Sequence, residues 1–97
     1  MNDKLKTSSV DLFAKALLSL NDKKECLEFL EDICTINEIL SFSQRFEVAK
    51  MLKNKKTYTE IAKATGASTA TISRVNRSLT YGNGSYNKIF DKIDKLS

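Results

Sequence analysis

Between Ser68 and Ser78 the chain places small hydroxyls and two guanidiniums at spacings that share one side of a helix: Thr69, Ala70, Ser73, Arg74 and Arg77. At about 100° per residue these lie opposite Ile72, Val75 and Leu79, which fall within roughly 60° of one another and read as the core anchor. Groups of this kind bind rather than transform. Ser and Thr hydrogen-bond either partner at a base edge or touch a thymine methyl, and Arg can hold guanine through two hydrogen bonds. Small side chains let a helix approach the floor of a major groove about 12 Å wide. No acidic residue lies on that side to repel phosphate. The plainer alternative is a solvated outer face, for which Glu and Lys would be the expected choices.

Other chemistry is poorly provided for. The chain has no histidine, the commonest general base and the commonest metal ligand. If Cys26 and Cys34 share one helix, their Cα atoms are ~12 Å apart, whereas a disulfide needs less than ~7 Å. Two sulfurs without histidine do not close a zinc site, so no metal is expected, and both cysteines read as small buried apolar residues. No glycine-rich dinucleotide fingerprint, phosphate loop or nucleophile elbow occurs. The sequence therefore argues against an enzyme and against any cofactor.

Helices must carry these groups, because proline is absent and glycine occurs only at 66, 82 and 84. Val10, Phe13, Ala14 and Leu17 give a first amphipathic helix, capped by Ser9 and ending near Leu20. A second opens at Asn21 or Asp22, with Leu27, Leu30, Ile33 and Cys34 on one side. Thr35 and Glu38 form a capping box for a long third helix that reaches about Asn54. A basic loop follows: Lys53, Asn54, Lys55, Lys56. Thr57 and Glu60 form a second box, for a short helix from Tyr58 to about Thr65 with Ile61 and Ala62 inward. Gly66 then stands where a left-handed residue ends a helix, and Ser68 caps a fifth helix, from Thr69 to about Thr80. Two helices joined by a short glycine-containing turn are the helix-turn-helix signature. After a glycine loop, Tyr81 to Ser85, a sixth helix spans about Tyr86 to Leu96, with Ile89, Phe90 and Ile93 as its apolar face.

The 97 residues make one all-α domain, 1–97. No apolar run reaches the ~18 residues needed to cross a bilayer, and Met1 to Ser9 lacks the apolar stretch of a signal peptide, so a cytoplasmic chain without membrane contact is expected. The net charge of +4 is unevenly placed: residues 1–50 hold 7 basic and 9 acidic side chains, residues 51–97 hold 9 and 3. A basic back half suits a polyanion. Thr59, Lys63, Lys56 and Ser68 are expected to meet phosphates, together with Lys53 and Lys55.

The string G-A-S-T-A-T-I-S-R-V-N-R-S-L, Gly66 to Leu79, resembles the recognition segment of the Trp repressor superfamily. The stretch Tyr81-Gly82-x-Gly84-x-Tyr86 is similar to its YerC/YecD subgroup. Phe42 to Ala49 and Thr57 to Ile61 also fit, and the resemblance covers about residues 10–90. It implies six helices per chain and a homodimer with interlocked N-terminal helices. The first helices carry more apolar surface than a small lone domain can hide, so Phe13, Leu17, Leu27 and Leu30 are expected to be shared between chains, the alternative being a core within one chain. Two reading helices one DNA turn apart, ~34 Å, would then meet a palindrome. It places DNA contacts on Thr69, Ala70 and Ser73, with Arg74 near phosphate. It also implies an effector pocket at Arg45, Arg74, Val75 and Ser78. Val75 stands at the family's glycine position and should fill the slot an indole enters, so tryptophan is disfavoured.

The expectation is thus a dimeric, sequence-specific transcription regulator, a repressor, acting on double-stranded DNA. The modest net charge leaves room for a non-catalytic protein-interaction module that keeps the fold without specific DNA binding. An RNA binder would want more exposed aromatic residues than Tyr58, Tyr81 and Tyr86.

Overall fold

The computed structural model describes residues 1–96. After a 3-10 turn at Asp3–Leu5 come six helices: α1 (Ser8–Leu18), α2 (Lys23–Ile33), α3 (Ile36–Lys53), α4 (Tyr58–Thr65), α5 (Thr69–Tyr81) and α6 (Ser85–Leu96). The described residues contain no strand. The all-α expectation holds, with its helix count.

Caps explain most of the boundaries. The capping box at the start of α3 is complete: Thr35 N–H donates to Glu38 Oε1 at 2.8 Å, and Glu38 N–H donates to Thr35 Oγ1 at 3.1 Å. The Glu38 carboxyl is held below its ordinary pKa, chiefly by the bond from the Thr35 backbone N–H and to a lesser degree by the Thr35 hydroxyl. Asp22 caps α2 through Glu25 N–H at 2.8 Å, and Thr57 caps α4 through Glu60 N–H at 3.1 Å. One start differs from expectation. Thr7, not Ser9, caps α1 by accepting from Val10 N–H at 3.2 Å, and the helix stops at Leu18 instead of Leu20. Three consecutive hydroxyls could serve there; only Thr7 has the extended backbone that aims its oxygen at the helix end.

The chain packs as two compact units, Met1–Ile39 and the segment from Leu40 onward, with the division inside α3. The first unit has no buried residue. Its rings Phe13 and Phe29 lie 6.3 Å apart. Cys26 and Cys34 are free thiols and only half-buried, which corrects the fully buried reading; Cys34 lies one residue past α2, in extended backbone.

The second unit holds the core: Val48, Ala49, Ile61, Ala67, Ile72, Val75 and Phe90. Val48, Ile61 and Ile72 are fully enclosed, each contributing about 1.5–3 kcal/mol by burial. Phe90 anchors α6, with its ring 4.8 Å from that of Phe46 on α3. Ile89 and Ile93, expected beside Phe90 on the apolar face, remain 44% and 45% exposed. At the end of α3, Lys55 adopts φ 61°, so the left-handed residue of that turn is a lysine.

Candidate nucleic-acid interface

The turn that aims α5 is tightly specified. Gly66 has φ 73° and its N–H closes α4 onto Ala62 O at 2.9 Å. Thr65 Oγ1 donates to Ile61 O at 2.8 Å and accepts Ala67 N–H at 3.1 Å, so one hydroxyl binds both sides of the bend. Gln44 on α3 donates from Nε2 to Thr65 O at 3.1 Å, and buried Ala67 plugs the turn into the core. Ser68 then caps α5, accepting Thr71 N–H and donating to Thr71 Oγ1, both at 3.1 Å.

Ile72 and Val75 face the core and Leu79 is half-buried, as the helical period requires. Thr69, Ala70, Ser73, Arg74 and Arg77 are all exposed. The first turns of α1, α2, α3 and α4 carry Asp11, Glu25, Glu38 and Glu60; the first turn of α5 carries no acid. The positive end of the α5 dipole is therefore not offset by a nearby carboxylate. Thr59 and Lys63, four residues apart on α4, are exposed, as are Lys56 and Ser68. The Ser68 hydroxyl is already engaged as the cap. Lys53 has neighbours within the chain: its ammonium lies 3.8 Å from the Asp91 carboxylate and 5.2 Å from the Phe90 ring centre. It links α3 to α6 while its side chain stays partly exposed.

Arg45, Arg74, Val75 and Ser78 line one cleft of about 210 Å³, together with Ser41, Gln44, Thr71 and Tyr86. Two guanidiniums and no carboxylate line it. Arg45 also sits 5.6 Å from the centre of the Phe42 ring. Val75, 3% exposed, is a wall of this cleft and part of the core at once. In the first unit, Phe13 and Leu17 are each 42% exposed and Leu27 is 50% exposed, while Leu30 is half-buried.

The roles of four residues were not legible in the sequence: Gln44, Tyr86, and Tyr58 with Asn76, joined across α4 and α5 at 3.2 Å. Their separations along the chain leave no periodic signal; only the position of Tyr58 at the first residue of α4, after a capping threonine, points to the helix junction.

No helix among the described residues is long and apolar enough to cross a membrane, and they contain no group of three His, Cys, Asp or Glu suited to a metal ion. Residues 8–94 match the family model described as Trp repressor protein. The uncharacterised protein YerC of Bacillus subtilis strain 168 is 52% identical over 91 residues, covering 94% of this chain and 88% of that one. The crystal structure of a TrpR-like protein from Eubacterium eligens ATCC 27750 superposes with TM-score 0.93 at 61% identity, covering 96% of each chain. A candidate Trp repressor from Staphylococcus aureus gives TM-score 0.91 at 49% identity, covering 95% of this chain and 92% of that one. The chain belongs to the Trp repressor family, as a YerC-like member, and so to DNA-binding regulators, a regulatory family and not an enzymatic one.

Proposed function

We propose that this protein is a homodimeric transcription regulator, a repressor, that reads a palindromic site in the major groove of double-stranded DNA. The observation that carries this reading is the outer side of α5, where small residues, two arginines and an acid-free helix start share one exposed surface. Thr69, Ala70, Ser73, Arg74 and Arg77 face base edges. Thr59, Lys63, Lys56 and the Ser68 end of α5 meet the flanking phosphates and set the register.

The first unit supports dimerisation. It buries no side chain, yet exposes Phe13, Leu17, Leu27, Leu12, Leu18 and Ile33. Leaving that much apolar surface in water is unfavourable by roughly 25 cal/mol per Å², and a second copy offers a matching surface across a two-fold axis. The whole chain then acts as one functional domain, in the cytoplasm. The cleft between Arg45, Arg74, Val75 and Ser78 is the effector pocket; its two guanidiniums suit an anionic group, but its valine wall makes it a poor seat for the indole of tryptophan.

Binding to duplex DNA across a salt series tests the reading. Binding through several phosphates should weaken steeply as salt rises, with a slope set by the phosphates neutralised. A flat profile, or no binding at low salt, would reassign the fold to protein contacts.

A further inference from the structure

The two helices of the helix-turn-helix are joined at the surface by a side-chain hydrogen bond. Asn76 Nδ2 on α5 donates to the Tyr58 hydroxyl oxygen on α4 at 3.2 Å. The Tyr58 ring is half-buried and packs against the core, so the hydroxyl is held at the end of a stiff lever. A phenol both donates and accepts. With Asn76 occupying a lone pair, the hydroxyl proton remains to be given elsewhere, and donation is strengthened when the same oxygen accepts a bond.

Position says what would take it. Asn76 follows Ser73 by three residues, so the two are neighbours along α5, with Asn76 roughly 60° further round toward α4. The Tyr58 hydroxyl thus lies at the margin of the surface that carries Ser73 and Arg77. Tyr58 is also the first residue of α4, beside exposed Lys56 and Thr59. An anion lying along the edge of a groove filled by α5 would pass this point.

We propose that the Tyr58 hydroxyl, held by Asn76, donates a hydrogen bond to a DNA phosphate flanking the groove that α5 enters. This rests on the DNA-binding reading of α5. Tyr58 is a positioning contact: it fixes the rotation of the helix pair on the duplex but selects no base.

Tyr58→Phe keeps the ring and the fold and removes only the hydroxyl. The probe is a mixed-sequence duplex of about 25 bp at ~50 mM salt, with the salt slope measured for each protein. The variant should bind about ten-fold more weakly, as expected for losing a bond to a charged group, and equally so for different sequences. Its salt slope should be unchanged, because a phenol displaces no counterion, whereas Lys63→Ala should lower the slope by about 1. Asn76→Ala should weaken binding by less, and the double variant should bind no more weakly than Tyr58→Phe alone, since the two act as a unit. If wild type binds and Tyr58→Phe binds equally well, the hydroxyl serves only to join the helices and the proposal is wrong. If wild type itself ignores the duplex, the DNA-binding reading fails first and takes the proposal with it.

Discussion

Gly66 has the unusual backbone, but Gly82 should be the less replaceable glycine. At Gly66, φ is 73° and an added Cβ would meet nothing within 4 Å. Alanine there incurs only the left-handed penalty, about 1–2 kcal/mol. Part is offset by about 0.4–1 kcal/mol because the unfolded chain also loses freedom, leaving a net cost of about 1 kcal/mol. Gly82 has an extended backbone, φ −80° and ψ −160°, that any residue could adopt. Yet a Cβ there would collide with the Ser78 carbonyl oxygen, which accepts Gly82 N–H at 2.9 Å and closes α5. A backbone carbonyl does not step aside as a flexible side chain does. The last turn of α5 must open, losing about 1 kcal/mol of hydrogen bond and adding about 1–3 kcal/mol of overpacking. Urea unfolding of both variants gives the comparison, with midpoints read at constant m value. In thermal melts each 1 kcal/mol should move Tm by about 4–8 °C. Gly82→Ala is expected to fall further than Gly66→Ala. The reverse order would mean that the C-terminal end of α5 is not closed as described.

Phe90→Ala should cost about 3–5 kcal/mol, releasing α6 from Phe46 and Lys53, and a melt far shallower than wild type is the readout. Ser73→Ala and Arg77→Ala should each lower discrimination between a selected site and random DNA by about 1–3 kcal/mol; unchanged discrimination in both would move the reading surface off this side of α5. Leu27→Glu should shift the protein from dimer to monomer in sedimentation at micromolar concentration, and a dimer that survives it would place the interface elsewhere. Because the folded-state pKa of Glu38 is depressed, its stabilising effect is present above the ordinary carboxylate value and is lost as pH falls through the folded value. Melts of wild type and Glu38→Gln should therefore converge on acidification, and a gap independent of pH would contradict the capping box.

The local part of this fold was legible because its signals are local. Thr35 with Glu38, Thr57 with Glu60, Gly66 and Ser68 each act within four residues, and each stands where its chemistry required. The period of α5 likewise separated Ile72 and Val75 from Ser73, Arg74 and Arg77. What escaped depends on partners far along the chain. Lys53 in a run of lysines looks like any phosphate-binding lysine until Asp91 and Phe90 are brought beside it. The exposure of Ile89 and Ile93 had the same cause: helical period marks an apolar face but not how much of it the same chain covers. Gln44 shows the converse, a polar residue in mid-helix whose purpose, the Thr65 carbonyl, lies 21 residues away.

The most direct test is selection of fragments of the source genome by the purified protein at ~150 mM salt, where non-specific binding is weak. Enrichment of a small set of fragments sharing an inverted repeat, with half-sites about one helical turn apart, is the predicted result. Recovery without sequence preference, or enrichment of single half-sites with no repeat, would contradict a dimer that reads DNA through α5.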